Sequence, residues 1–168
     1  MGSNAVRKVD YSAQRTNQIF QIVLLVAAFV SDTWQVVAFV AAVMLVGTAL
    51  PGAMLFTRLY RHVLKPLGIR PDVIADNPEP HRFSHGIGGV LLAASTASLL
   101  LGAPTVGWIL AGLIVALTAL NLGGFCVGCF LYYQLNKLGV PGFKHAPVDT
   151  GVVPGRHPRK VPVEDGHA

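Results

Sequence analysis

Residues 106–133 read VGWILAGLIVALTALNLGGFCVGCFLYY, and this stretch decides the class of fold. It contains no Asp, Glu, Lys or Arg. Because a helix of about 20 apolar residues crosses the hydrocarbon core of a bilayer, the stretch is long enough to span a membrane. Three further apolar stretches lie at about 16–30, 35–56 and 83–101. The pattern therefore predicts an all-α integral membrane protein with four transmembrane helices.

The composition of the whole chain agrees with this class. Of its 168 residues, 52% are apolar and 12% are charged, which is too apolar for an ordinary soluble domain of this size. The net charge of +5 is not accompanied by clusters of basic and aromatic residues. We therefore interpret it as contact with the headgroups of the lipid bilayer and expect no nucleic-acid partner.

The positions of the basic residues predict the orientation. All 13 Lys and Arg lie before the first apolar stretch, between the second and third, or after the fourth. The short connections at 31–33 and 102–105 contain none, so the positive-inside rule places both termini in the cytoplasm. We expect residues 1–140 to form the transmembrane domain and residues 141–168, rich in Pro and Gly, to form a disordered cytoplasmic tail.

A weak internal repeat divides the membrane domain into two halves. Arg15-x-x-Gln18 opens the first half and Arg82-x-x-His85 opens the second, which predicts two helical hairpins arranged as a parallel repeat. In this register Pro51-Gly52 falls opposite Gly123-Gly124, so both second helices carry a helix-weakening dipeptide. Matching helix breaks in repeat membrane proteins point to a binding site, while close packing through small residues is the alternative.

The only two cysteines, Cys126 and Cys129, follow the second of these dipeptides. If Gly123-Gly124 interrupt the helix, Cys126 starts a new half-helix whose unpaired N–H groups favour a thiolate. Cys129 can then resolve a mixed disulfide or persulfide formed on Cys126. The pattern favours redox or sulfur-transfer chemistry over inert cysteines, and we assign no metal because the histidine spacing does not demand one.

Three ionisable residues at the same predicted depth complete the candidate site. His85 is a candidate proton acceptor for the thiol, and Arg15 and Arg82 are candidates to bind an anion. The arginines can equally be topology anchors at the ends of their helices. His85 can equally form a hydrogen bond between helices.

Several short motifs resemble a bacterial membrane family catalogued as domain of unknown function 4395. The resemblance extends over nearly all of Val9 to Leu138 and rests on Val9-Asp10, Arg15-x-Asn17-Gln18, Pro80-His81-Arg82-Phe83 and Phe125-Cys126-Val127-Gly128-Cys129-x-Leu131-Tyr132. It implies a small four-span protein of the bacterial cytoplasmic membrane. Members are often encoded near thioredoxin-like and rhodanese-like proteins, which implies a thiol or sulfur context, but the family supplies no activity and no role for His85.

The leading hypothesis is a thiol-based membrane protein of sulfur or redox metabolism. Its cytoplasmic Cys126 and Cys129 would exchange electrons or sulfane sulfur with a soluble thioredoxin-like or rhodanese-like partner, as in a thiol-disulfide oxidoreductase. No cofactor is required by the sequence, but a quinone is a candidate oxidant because the cytosol keeps thiols reduced. The alternatives are a small carrier or channel for a sulfur-containing anion and a non-catalytic membrane anchor for soluble enzymes, and an oligomer is compatible with each.

Overall fold

The computed structural model describes residues 8–49, 73–75, 78–140 and 155–156. Five helices form most of this part of the chain: α1 (Tyr11–Val30), α2 (Trp34–Ala49), α3 (Pro78–Leu100), α4 (Pro104–Leu122) and α5 (Val127–Lys137). Two strands of three residues, β1 (Lys8–Asp10) and β2 (Val73–Ala75), pair with each other antiparallel. The described residues are therefore helical, as expected, apart from one short ladder that the all-α prediction does not include.

The first four helices form a bundle in which α3 makes the most extensive contacts. Helix α1 packs against α2 and α4, and α3 packs against the same two helices. The short helix α5 returns along α3 after α4 has ended. Because α3 contacts α2, α4 and α5, it positions most of the side chains that surround the cysteines.

The two hairpins, α1–α2 and α3–α4, are built alike. Each is closed by a tight turn, in which Asp32 (φ 47°) and Gly102 (φ 77°) occupy equivalent positions. In both turns a backbone N–H reaches back to a helix carbonyl, as in a Schellman motif: Thr33 to Ala28 and Ala103 to Ser98, each at 2.9 Å. Strands β1 and β2, which precede α1 and α3, pair with each other. Equivalent elements of the two halves therefore meet, as in an approximate two-fold repeat.

Each helix buries one face, yet its outer face is also apolar. Helix α2, for example, buries Val37, Val40, Ala41, Met44 and Gly47. Large apolar side chains on the outside remain exposed, among them Phe29 (61%), Val90 (60%) and Ile109 (65%). Apolar surface of this extent is unfavourable in water and marks a surface that contacts lipid or protein.

Two helices, Glu79–Leu100 and Pro104–Leu122, are long and apolar enough to cross a membrane. Only 22% and 17% of the most apolar segments of these two helices are buried inside the protein. The core helix of a soluble domain is mostly buried. Helix α2, Trp34–Ala49, is apolar but shorter. The rest of the predicted second span, including Pro51-Gly52, lies outside the described residues. The predicted fourth span, 106–133, is divided between α4 and α5.

One close contact joins α3 to α4. Ser95 is fully buried, and its hydroxyl donates a hydrogen bond to the carbonyl oxygen of Gly107 at 2.7 Å. A Cβ atom on Gly107 would lie 2.7 Å from Cδ2 of Leu99 and 3.0 Å from the carbonyl oxygen of Ser95. Glycine therefore permits the two backbones to approach, as small residues commonly do between membrane helices.

We expect Gly107→Val to lower the free energy of unfolding by about 1–3 kcal/mol, because the added side chain must separate α3 from α4. Gly112→Val is the matched control in the same helix, since no atom lies within 4 Å of its added Cβ. Unfolding of the purified protein in mixed micelles, followed by circular dichroism, measures the difference. Equal stability of the two variants would contradict this account of the α3–α4 contact.

Candidate functional site

The helical structure is interrupted between α4 and α5, at Gly123-Gly124. Helix α4 ends at Leu122 and α5 begins at Val127. Gly124 has a φ of +99°, a backbone conformation that residues with a side chain rarely adopt. The turn therefore requires glycine at this position, and it places Cys126 directly before the first turn of α5.

Cys126 is the N-cap residue of α5. Its sulfur accepts a hydrogen bond from the backbone N–H of Cys129 at 3.2 Å. The first N–H groups of a helix have no partner within the helix, and here a sulfur serves where Ser, Thr or Asp usually caps. The sulfur of Cys126 therefore lies at the positive end of the α5 dipole.

Two residues of the tail contact the same turn. The N–H of Cys126 donates to the carbonyl oxygen of Gly155 at 2.8 Å, and Phe125 forms an antiparallel bridge with Arg156. The rest of 141–168, predicted as a disordered tail, lies outside the described residues. Gly155 and Arg156 lie against the cysteine turn.

Cys126 and Cys129 are joined by a disulfide bond, and their Cα atoms are 5.2 Å apart. This separation is within the range of ordinary disulfides. Both residues are buried, with exposures of 2% and 4%. The structure therefore represents the oxidised form of the pair, and a reaction partner needs a path to the sulfurs.

Two side chains of α3 lie against the disulfide. Nδ1 of His81 is 3.5 Å from the sulfur of Cys129 and 2.9 Å from Nε2 of Gln14. The hydroxyl oxygen of Ser84 is 3.6 Å from the sulfur of Cys126, and in the oxidised pair this hydroxyl is the donor. The predicted proton acceptor, His85, follows His81 by about one helical turn. It is thus His81 whose imidazole contacts the cysteine pair.

Aromatic and polar contacts hold α5 on α3. The hydroxyl of Tyr132 donates to Oε2 of Glu79 at 2.9 Å, and its ring meets that of Phe83 edge to face, with centroids 5.7 Å apart. Gly128, between the cysteines, lies directly against Ser84. These contacts fix the distance between the disulfide and the side chains of α3.

A cavity of about 210 Å³ adjoins the disulfide, and Cys126 forms part of its wall. Helices α1, α3, α4 and α5 all contribute to it. Its polar side chains include the amides of Gln14, Gln18, Gln21 and Asn121 and the imidazoles of His81 and His85. Apolar residues such as Leu91, Ile114 and Leu117 complete the wall. The disulfide therefore borders a space that a small molecule can enter.

The sequence pattern did not identify Gln14, Gln21, His81 or Ser84 as site residues. A signal for the glutamines is present, because Gln14, Gln18 and Gln21 recur at helical spacing where the polar start of the first helix passes into its apolar part. Polar side chains on one face of such a helix generally point into the bundle. In the structure Gln18 and Gln21 are 2% and 3% exposed, and Gln21 donates to the sulfur of Met44 at 3.3 Å.

The two arginines proposed for anion binding lie elsewhere. Nη2 of Arg82 donates to the carbonyl oxygen of Thr48 at 2.9 Å, in the last turn of α2, where a cation is favourable. Arg15 is exposed. Among the described residues, neither arginine belongs to the cavity wall.

Three potential metal ligands meet at the cysteine pair. One ligand atom from each of His81, Cys126 and Cys129 lies within 4.8 Å of the other two. Two thiolates and an imidazole suit a soft or borderline ion such as Cu⁺ or Zn²⁺. Only the reduced cysteines could bind one, because the thiolate is the metal ligand.

We expect Gly128→Ala to move α5 away from the residues of α3. The added Cβ would lie 2.6 Å from Cβ and 2.9 Å from Cα of Ser84, and a backbone atom cannot be displaced without shifting the helix. The free energy of unfolding should fall by about 1–3 kcal/mol. Thermal unfolding in detergent measures this fall, and Gly112→Ala, which meets no atom within 4 Å, is the control. Unchanged stability would contradict the contact.

Comparison with known proteins identifies the family but no activity. No curated protein and no solved structure matches the chain. The profile of the family described as Domain of unknown function (DUF4395) matches residues 9–137, which include all five helices and both cysteines. The chain therefore belongs to the DUF4395 family.

Proposed function

We propose that this protein is a four-span membrane protein whose Cys126–Cys129 pair alternates between dithiol and disulfide. Exposed apolar faces on the helices support the membrane location, as do the two helices long enough to span. Helix α1 has 20 residues, and α2 is predominantly apolar over its described length. The distribution of Lys and Arg supports a cytoplasmic location of both termini, in the bacterial cytoplasmic membrane.

The observation that carries the redox proposal is the position of the pair at the start of α5. The N–H of Cys129 and the helix dipole both favour negative charge on the sulfur of Cys126. His81 lies against Cys129, where it can accept the proton of that thiol. Cys126 is thus suited to be the nucleophile and Cys129 the resolving thiol.

The exchange follows from ordinary disulfide chemistry. The thiolate of Cys126 attacks a disulfide of the soluble partner, forming a mixed disulfide and releasing one partner thiolate. The thiolate of Cys129 then attacks the sulfur of Cys126, which releases the second partner thiol and forms the Cys126–Cys129 disulfide. Two electrons have passed to the partner, and the reverse sequence oxidises a dithiol partner. A persulfide partner would instead transfer its outer sulfur to the thiolate of Cys126 and leave as a thiol, so that the persulfide is then on Cys126.

Because both cysteines are buried, a protein partner cannot contact them without a change at the surface above them. Both cysteines are at most 4% exposed, and the Gly155 carbonyl covers the N–H of Cys126. A thioredoxin-like or rhodanese-like protein therefore has to displace the tail at Gly155 before it contacts Cys126. A small molecule can use the cavity instead.

The geometry gives less support to the other two functions. A carrier for a sulfur-containing anion would place a fixed cation in its cavity, whereas the described wall contributes amides and imidazoles, and Arg15 and Arg82 lie outside it. A non-catalytic anchor would use the basic central loop, which falls largely outside the described residues. Redox chemistry at the pair is therefore the function we favour.

We expect Cys129→Ser to trap a partner on Cys126. Without its resolving thiol, the variant should accumulate mixed disulfides or persulfides at least tenfold above the wild type. Mass spectrometry of membranes quenched with acid and alkylated measures this adduct. Cys126→Ser is the matched control and should trap far less, because Cys129 lacks the N-cap position. Equal trapping by both variants would refute the assignment of the nucleophile, and no trapping by either would refute the exchange reaction.

We expect two exposed positions to label from opposite sides of the membrane. In a variant with both native cysteines changed to Ser, Lys137→Cys at the end of α5 should react with a membrane-impermeant maleimide only in inverted vesicles. Asp32→Cys, in the α1–α2 turn, should react in intact cells. Both positions are exposed in the structure, so access is comparable. Labelling of both positions from the same side would contradict the proposed topology.

A further inference from the structure

We propose that the cavity beside Cys126 binds the head group of a para-quinone, which accepts the two electrons of the reduced cysteine pair. This inference rests on the proposed function, since it names the small-molecule oxidant of the same pair. The quinone would be the membrane-soluble substrate, and the soluble protein partner would supply the electrons.

The size of the cavity suits one substituted ring. An apolar cavity of about 150 Å³ holds benzene in another protein. The cavity beside Cys126 has about 210 Å³, which leaves room for ring oxygens and substituents. Because Cys126 forms part of the wall, a bound ring would lie next to the disulfide.

The wall suits a neutral ligand. The polar groups that the described residues contribute are amides, hydroxyls, imidazoles and Cys126, and they share the wall with leucine and isoleucine side chains. Charged soluble oxidants such as nucleotide cofactors need cationic residues for their phosphates. A quinone carries no charge and presents two carbonyl oxygens as acceptors.

The side-chain amide of Gln18 is a buried hydrogen-bond donor without an acceptor among the described residues. Gln18 is 2% exposed and lines the cavity, and within the described part of the chain its Nε2 has no hydrogen-bond partner. The neighbouring amides of Gln14 and Gln21 already contact His81 and Met44. Buried polar groups in native proteins almost always have a partner, so an orphaned donor in a cavity wall points to a ligand. A quinone carbonyl would accept this hydrogen bond.

The cavity also reaches the outer surface of the bundle. Two residues of its wall, Ile87 on α3 and Leu131 on α5, are 36% and 44% exposed. An apolar rim between two helices allows a lipid-soluble ring to enter from the bilayer, with its tail left outside. A water-soluble oxidant would find no polar entrance at this rim.

The reaction balances without another reactant. The thiols of Cys126 and Cys129 lose two electrons and two protons and form one S–S bond, while the quinone gains both and becomes a quinol. His81 accepts the proton of Cys129, and the imidazoles of His81 and His85, which both line the cavity, carry this proton and the one released by Cys126 to the two ring oxygens. The resulting disulfide is the state that the structure contains.

The test uses the full-length protein in lipid nanodiscs, reduced and freed of reductant. Decylubiquinone and, in a second arm, 2,3-dimethyl-1,4-naphthoquinone are added, because neither ring has a free position to which a thiol can add. Formation of quinol is followed by absorbance, and the thiols that are lost and then recovered with a reductant are counted by maleimide mass shift. We expect one quinol for each disulfide formed with at least one quinone. The more active of the two quinones identifies the ring type.

Gln18→Leu should raise the quinone concentration that gives a half-maximal rate of thiol oxidation about two- to tenfold, the effect of one lost neutral hydrogen bond. Diamide, a small soluble oxidant, should still convert the thiols of this variant to the disulfide, which shows that the cysteine pair is intact. Gln35→Leu, an exposed glutamine of α2 outside the cavity wall, is the matched control and should behave as the wild type. An unchanged half-maximal quinone concentration for the Gln18→Leu variant would overturn the role of Gln18.

Binding can be tested apart from chemistry. In the variant with both cysteines changed to Ser, a photoreactive azidoquinone should attach to peptides of α1 and α3, and unlabelled decylubiquinone should compete. Oxidation by diamide without any reaction with either quinone would overturn the quinone proposal and leave the redox pair intact. Failure of the pair to form a disulfide with any oxidant would refute the proposed function itself.

Discussion

The candidate site depends on the backbone turn at Gly123-Gly124. The turn ends α4, starts α5 and leaves the first N–H groups of α5 without helical partners. The sulfur of Cys126 accepts a hydrogen bond from one of these groups, the N–H of Cys129. This contact holds the sulfur of Cys126 close to that of Cys129, to which it is bonded. With an unbroken helix at this position, Cys126 would lose both its capping role and its place at the positive end of a dipole.

Helix α3 supplies the side chains that surround the cysteine pair formed at this turn. Its first turns place Glu79, His81 and Ser84 against α5, while Gly128 allows the two helices to touch. Farther along α3, the hydrogen bond from Ser95 to the carbonyl oxygen of Gly107 joins α3 to α4. Polar side chains are thus gathered at the end of the bundle where α1 and α3 begin, and the outer faces remain apolar.

The two proposed reaction partners would reach the sulfurs of the cysteine pair in different ways. The carbonyl oxygen of Gly155 binds the backbone N–H of Cys126, and Cys126 also forms part of the cavity wall. A large soluble partner and a small membrane-soluble oxidant would therefore approach one disulfide by different paths. Such separation would let the pair exchange electrons with one reactant while the other remains bound.

The sequence by itself determined the apolar helices, the glycine break and the cysteine pair, because each depends on local composition or spacing. It also determined membership of the family, through residues 9–137. Only the tertiary structure decided that His81 contacts the pair, that Arg82 binds the end of α2, and that His85 and three glutamines of α1 line the cavity beside Cys126. These residues lie far from Cys126 in the chain, and a rotation of one helix by a single residue turns a different side chain inward. Packing of α1 and α5 against α3 sets that rotation, and no local pattern specifies it.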